Sequence, residues 1–141
     1  HQRGYPDDRS IYSPWKKPII ILCNQNSFSN AEIFAHAIKT TKRGKIVGVP
    51  TAGGVISTWG TTILKKHRFR LPMRGWYLAD SGLDMELNGA QPDYLLWPHA
   101  GDFISGHDPQ LNKAVEILKQ DIVQWKKSKE KIKPIRAHQK K

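Results

Sequence analysis

The sequence predicts an α/β fold built around a mainly parallel sheet with flanking helices. Residues 18–23 are an unbroken apolar, β-branched run, which is typical of a strand covered on both faces. A helical pattern and a second apolar run follow within about 30 residues, the size of a β-α-β unit. A long amphipathic helix near the carboxyl end completes the pattern.

The first half of the chain supplies the predicted β-α-β unit. Residues 1–14 are polar and turn-rich, so we expect a loop there. The helix after the first strand should end near Gly44, which follows two basic residues. Residues 46–49 read as the second strand. The apolar face of the helix is predicted to contain Ile33, Phe34, Ala37 and Ile38.

The second half begins with two short predicted strands, 61–64 and 68–71, although the turn between them lacks an Asn-Gly signal. Residues 72–92 look mostly irregular, and 93–97 form a plausible short strand. Asp108 and Pro109 suit the start of the last helix. Its apolar stripe is predicted to contain Leu111, Ala114, Val115, Leu118 and Ile122.

Composition excludes several classes of protein. The 141 residues suit one domain, and no apolar run approaches the roughly 20 residues that span a bilayer. Cys23 is the only cysteine, so an internal disulfide and a cysteine-rich metal site are excluded, and we expect a buried thiol. The histidines and carboxylates do not fall at ligand spacing, so neither a metal nor another cofactor is expected.

The formal net charge of +11 is concentrated at the carboxyl end. Residues 126–141 carry eight Lys or Arg against one acidic residue, a net of +7, and are predicted to form a disordered basic tail. No motif with interleaved aromatic residues accompanies this tail, so no specific nucleic-acid binding is expected. A nucleic-acid-binding domain that relies on the tail alone stays open as an alternative.

A serine-rich turn after the first strand is the first candidate for chemistry. Ser29 opens the predicted helix, where unpaired N–H groups and the helix dipole favour an oxyanion. The same spacing of Ser29 and Glu32 is a capping box, which needs no catalysis, and the residues alone favour that reading. Gly53 and Gly54 allow either a close-lying peptide substrate or a tight turn.

Four motifs in sequence order resemble the tricorn and tail-specific serine peptidases, across residues 15–122. They are Ser29 with Glu32 after an apolar strand, Val47-Gly48-Val49-Pro50-Thr51-Ala52-Gly53, the segment from Glu86 to Asp93, and the segment from Gly106 to Leu111. Tail-specific members place a lysine base where this chain has Gly54, so the tricorn branch, which uses a histidine base, is the nearer match. The resemblance implies the fold of the Clp protease and crotonase superfamily.

The resemblance also implies roles for individual residues. Ser29 would be the nucleophile, and the Asn30 backbone N–H would form one half of the oxyanion hole. Glu86 would steady a histidine base through an intervening hydroxyl, and Gly53 and Gly54 would border the substrate.

No histidine of this chain stands in the family's register. His36 lies seven residues after Ser29, about 10 Å along a helix. The chain starts without a Met and reads as the middle of a longer protein. Residues 15–125 would therefore be the C-terminal half of a peptidase catalytic domain, and the missing N-terminal half would supply the base.

The function implied is hydrolysis of peptide bonds in peptides or unfolded proteins through an acyl-enzyme, with this fragment inactive alone. A homo-oligomer is compatible with this. The alternative is a non-catalytic ligand- or peptide-binding module on the same fold, as in the retinoid-binding proteins that look like relatives of the family. The compartment stays open, with a periplasmic or secreted location slightly favoured.

Overall fold

The structure, a computed structural model, describes residues 15–130. The elements in chain order are β1 (Ile20–Cys23), α1 (Asn30–Thr40), β2 (Lys45–Gly48), β3 (Ser57–Ile63), β4 (His67–Arg74), β5 (Tyr94–Leu95) and α2 (Pro109–Glu130). The predicted β-α-β unit is confirmed by β1, α1 and β2. The loop predicted at 1–14 lies outside the described residues.

A three-stranded parallel sheet forms the centre of the fold, in the order β1-β2-β5. The prediction of a parallel sheet is thereby confirmed. The start of β2 is fixed by Asp93, whose carboxylate accepts the Ile46 N–H at 2.8 Å while its own N–H donates to the Ile46 carbonyl at 2.9 Å. This pairing sets the register of β5 against β2, because Tyr94 follows directly.

The two helices cover opposite faces of this sheet. Successive residues of a strand point to opposite faces, so the contacts of Ile46 and Val47 show which helix covers each face. Ile46 packs with Cys23 and with Ala35 of α1, whereas Val47 packs with Ala114 and Ile117 of α2. The flanking helices of the predicted fold class are therefore present, one on each side of the sheet.

Strands β3 and β4 form a separate antiparallel hairpin. It extends further from the turn than the sequence predicted, because β3 begins at Ser57 and β4 ends at Arg74. Trp59 lies opposite Leu71 and Ile63 lies opposite His67. The turn at 64–66 has Leu64 and Lys65 in the left-handed region, with φ of 53° and 57°. Neither is an Asn or Gly, which is why the turn gave no clear signal in the sequence.

Helix α1 departs from its prediction in its buried face and in its end. The buried residues are Glu32, Ala35, His36 and Ile38, whereas Phe34 is 53% exposed. The helix ends at Thr40, four residues before Gly44, near which the sequence predicted its end. Gly44 instead allows a close approach of two chain segments, because a Cβ there would lie 2.7 Å from the Ile19 carbonyl oxygen.

Helix α2 continues through Glu130, five residues into the segment predicted as a disordered tail. Lys, Gln and Glu are good helix formers, so charge alone does not end the helix. The rest of the tail, 131–141, lies outside the described residues. Of the predicted apolar stripe Ala114 is buried, but Leu111 and Val115 are 47% and 41% exposed. No helix within 15–130 is long and apolar enough to cross a membrane.

Candidate active site

The turn between β1 and α1 places Ser29 at the carboxyl edge of the sheet, where α1 begins. The turn is closed by the Ser27 N–H, which donates to the Asn24 carbonyl at 2.9 Å, and by the Asn24 N–H, which donates to the Ser27 hydroxyl at 3.1 Å. Ser29 is the N-cap of α1 and has φ 59° and ψ −120°. That conformation is sparsely populated for a residue with a Cβ and costs about 1–3 kcal/mol.

Glu32 holds this strained turn in place. Its side chain is completely buried. One carboxylate oxygen, Oε1, accepts the N–H of Ser29 at 3.1 Å and that of Gly54 at 2.9 Å. The other, Oε2, accepts the Thr51 hydroxyl at 2.6 Å and the Gly53 N–H at 2.5 Å. A single carboxylate thus joins the Ser29 turn to the loop after β2.

The donors around Glu32 keep it ionised. Burial raises the pKa of this carboxyl, but the bonds from the Thr51 hydroxyl and from the N–H groups of Gly53, Gly54 and Ser29 outweigh burial and hold the pKa below its ordinary value. Hydrogen bonds to the charged form of a carboxylate have this effect because protonation removes acceptor capacity.

Thr51 extends the same network to a third segment. Its hydroxyl, which donates to Glu32, also accepts the Ala90 N–H at 2.8 Å. The Thr51 N–H in turn donates to the Ala90 carbonyl at 3.2 Å. The Ala52 N–H donates to the Ser27 carbonyl at 3.1 Å, which connects the loop after β2 to the serine turn. Three chain segments distant in sequence are therefore fixed around one buried carboxylate.

The backbone N–H of Asn30 is left open by this arrangement. It is the first N–H of α1, and no acceptor within the described part of the chain receives it. Such N–H groups at a helix start carry partial positive charge. The group lies next to Ser29 in the chain, so the geometry leaves one donor that an anion beside Ser29 could use.

Gly53 and Gly54 both donate their N–H groups to Glu32, and each makes a further contact next to the loop. Gly53 has φ 78°, donates its N–H to Glu32, and accepts the Leu87 N–H at 2.8 Å. At Gly54 a Cβ would lie 2.1 Å from a ring carbon of Phe28, so a side chain there would require the exposed Phe28 ring to shift. Since both N–H groups are used by Glu32, a peptide beside this loop could use the carbonyl of Gly54 but not these two donors.

Glu86 lies beside the same loop and is half-buried. Its Oε2 accepts the Val55 N–H at 2.7 Å and the Ile56 N–H at 2.8 Å. The described residues give Oε1 no hydrogen-bond donor, so that oxygen can accept one from outside the loop. Glu86 therefore fixes the loop with one oxygen and leaves the other available.

The described histidines make contacts away from Ser29. His36 is buried, and its Nε2 lies 3.2 Å from the Asn88 carbonyl. His107 Nδ1 lies 3.3 Å from Asp102. The Cys23 thiol is buried as predicted and donates to the Val49 carbonyl at 3.2 Å, and burial raises its pKa.

Sequence reasoning found Glu32 only as a helix cap and gave Thr51 only as part of a motif. The signal that could have identified Glu32 was its place on α1 next to Ala35 and His36, on the face that packs inward. A buried carboxylate needs several donors, and the glycine-containing loop after β2 was the segment able to supply backbone N–H groups.

A match to a known protein family gives the class of this chain. The family model of peptidase family S41 matches residues 1–96. The chain belongs to that family, within the tricorn and tail-specific proteases, and the family is one of serine-type peptidases.

The relatives that match are tricorn proteases. The tricorn protease of Thermoplasma acidophilum is 28% identical over 129 residues, which are 86% of this chain and 12% of the relative. The tricorn protease homolog 1 of Streptomyces coelicolor is 31% identical over 122 residues, 81% of this chain and 10% of the relative. The chain thus spans about a tenth of the length of these relatives.

Among solved structures, the crystal structure of the tricorn protease matches with a TM-score of 0.69 and 28% identity, covering 74% of this chain and 10% of that one. This likeness confirms the predicted fold class, a partial domain with a parallel sheet and flanking helices.

Proposed function

We propose that the chain carries the nucleophile side of a serine peptidase active site, with Ser29 as the nucleophile. The observation that supports this proposal is the backbone conformation of Ser29, with its positive φ. A strained, left-handed serine sits at a strand-to-helix turn beside an open N–H, a geometry typical of nucleophile turns in other hydrolases. A helix cap alone needs no such strain, because cap residues normally take the extended region.

The reaction would proceed through an acyl-enzyme. Ser29 Oγ attacks the peptide carbonyl carbon while a histidine from outside this chain takes the hydroxyl proton. The carbonyl oxygen becomes an oxyanion that accepts the Asn30 N–H. The histidine then protonates the leaving amine as the C–N bond breaks, and water hydrolyses the ester by the same steps.

Glu86 would support the histidine through an intervening hydroxyl. This assignment is supported by the different contacts of its two oxygens. Oε2 accepts the N–H groups of Val55 and Ile56, whereas Oε1 has no donor in the described residues. An ionised carboxylate in that position stabilises the imidazolium that forms during attack.

Gly53 and Gly54 would bring a peptide or unfolded-protein substrate close to Ser29 by shaping the loop beside it. Their N–H groups are used by Glu32, so we propose that the substrate aligns with the Gly54 carbonyl and with the strand β3 that follows. The histidine, the substrate and any homo-oligomer belong to the longer protein of which this chain would be a part.

The test is covalent labelling of the serine in a protein that includes the proposed N-terminal half of the domain. A fluorophosphonate probe should attach to Ser29, located by peptide mass spectrometry, and Ser29→Ala should abolish both labelling and peptide hydrolysis. Ser128→Ala is the matched control, because that exposed serine of α2 donates only to the Trp125 carbonyl and takes no part in the turn, and it should retain labelling. Labelling that survives in Ser29→Ala would overturn the assignment. The binding-module alternative would follow if the wild type, too, is neither labelled nor active. The 141-residue chain by itself should not hydrolyse peptides efficiently.

A further inference from the structure

The β3–β4 hairpin carries a charge that the catalytic proposal does not use. Residues 55–79 contain no Asp or Glu, but they contain Lys65, Lys66, Arg68, Arg70 and Arg74. None of these five cations takes part in an ion pair with another described residue. All eight residues of β4 are exposed. The hairpin is therefore a cationic surface without an acidic partner in the part of the chain that the structure describes.

Strand alternation gives the hairpin two different faces. One face is apolar: Trp59, Phe69 and Leu71 lie on it and are 64%, 51% and 49% exposed. The other face carries Arg68 and Arg70 of β4, which lie opposite Thr62 and Gly60 of β3.

Both arginines lean across β3 in the same direction. Arg70 pairs with Gly60, but its Nε donates to the Thr58 hydroxyl at 3.0 Å. Arg68 pairs with Thr62, but a Cβ at Gly60 would lie 3.6 Å from its Nε and 3.7 Å from its Nη2. Each guanidinium is thus displaced two residues toward the start of β3. The Arg68 guanidinium therefore lies over Gly60, at the distance of an ordinary van der Waals contact with a Cβ at that position.

The start of β3 is the end nearest the candidate active site. Ser57 follows directly after Val55 and Ile56, whose N–H groups are held by Glu86. The outer edge of β3 pairs with no strand among residues 15–130. A free edge presents unpaired N–H and C=O groups to an extended chain, and every second side chain of an added strand falls on one face.

We propose that the outer edge of β3 docks an extended acidic segment of the substrate, whose alternate carboxylates bind Arg68 and Arg70. The identity of the occupant as substrate rests on the proposed peptidase function. Charge selects it, because five cations without an ion pair among the described residues favour an anionic partner, and arginine binds carboxylates bidentately. Apolar residues at the other alternate positions would contact the face of Trp59. Acidic stretches beside the scissile bond would therefore be preferred.

The experiment measures binding rather than turnover. The 141-residue chain with Ser29→Ala is titrated against fluorescein-labelled seven-residue peptides, matching the length of β3, by fluorescence anisotropy. One peptide alternates Glu with Val and the other alternates Gln with Val. The Glu peptide should bind about tenfold more tightly, since two exposed Arg–carboxylate pairs near the top of the surface range give about that factor. Arg68→Gln/Arg70→Gln should remove the difference.

Lys65→Gln/Lys66→Gln is the matched control, because it removes the same charge from the same hairpin at the turn, away from the start of β3. It should retain most of the preference for the Glu peptide. Equal weakening by both double variants, with unchanged circular dichroism and melting, would show unspecific attraction and overturn the proposal. Tighter binding of duplex DNA than of the Glu peptide, lost in Arg68→Gln/Arg70→Gln, would assign the surface to nucleic acid and overturn it too.

The outcome is separable from that of the proposed function. Charge-selective docking, together with a longer protein that is neither labelled at Ser29 nor active on peptides, would overturn the peptidase assignment alone. Cleavage at Ser29 that is indifferent to Arg68 and Arg70 would overturn the docking surface alone.

Discussion

The turn around Ser29 and the β3–β4 hairpin are neighbouring parts of one proposed site, and they are built in opposite ways. In the turn, a completely buried carboxylate accepts four hydrogen bonds and fixes a strained serine. In the hairpin, every residue of β4 is exposed and the cations have no acidic partner among the described residues. The comparison teaches that buried hydrogen bonds fix the serine turn, whereas the hairpin presents its side chains to solvent.

The two regions should therefore respond differently to mutation. Removing one acceptor from a buried network leaves several donors unsatisfied at once, so the cost is large. Exposed side chains away from such networks change stability by less than about 0.5 kcal/mol. Substitutions in the turn should thus affect folding, whereas substitutions in the hairpin should affect binding.

The largest expected effect is that of Glu32→Gln. The amide has nearly the same shape, but its NH₂ group is a donor that would face two of the present donors instead of accepting from them. We expect a loss of about 3 kcal/mol in the free energy of unfolding, measured by urea denaturation. Glu116→Gln, which removes an exposed carboxylate paired with Lys113 on α2, is the control and should change little. Equal unfolding midpoints for the two variants would show that the turn does not depend on Glu32.

A smaller effect is expected from pH. The pKa of Glu32 is held below its ordinary value of 4.5, so the unfolded state binds this proton more readily than the folded state. The stabilisation is fully present above pH 4.5 and is lost as pH falls through the folded pKa. It amounts to about 1.4 kcal/mol for each unit of depression.

The measurement compares wild type with Glu32→Gln between neutral pH and the acid limit of folding. Other carboxyl groups titrate in both proteins and cancel in the difference. The stability advantage of wild type should shrink below pH 4.5. An advantage that stays constant or grows on acidification would contradict an ionised Glu32.

The sequence predicted these two regions unequally. The apolar run before Cys23 and the Ser29–Glu32 spacing identified β1, the start of α1 and the place of Ser29 between them, because strand and cap signals are local. The sequence could indicate that Glu32 faces inward but not which groups bind it, since its donors at Gly53 and Gly54 are some twenty residues away and become neighbours only through the sheet. The lean of Arg68 over Gly60 depends likewise on the hairpin register. The roles of Ser29, Asn30 and Glu86 in catalysis stay predictions.

The smallest expected effect concerns the hairpin turn. Leu64 and Lys65 both have positive φ, the requirement of a type I′ turn, which Asn and Gly meet with far less strain. Leu64→Asn/Lys65→Gly should stabilise the hairpin by about 0.5 kcal/mol, and the loss of Leu64 costs little because it is 80% exposed. Amide hydrogen exchange of β3 and β4 should slow while exchange in α1 stays unchanged. Leu64→Ala/Lys65→Ala removes the same side chains without easing the backbone, so exchange there should stay near the wild-type rate. If exchange in β3 and β4 does not slow in Leu64→Asn/Lys65→Gly, the hairpin is not a separately opening unit, and the contrast with the buried turn lies in exposure alone.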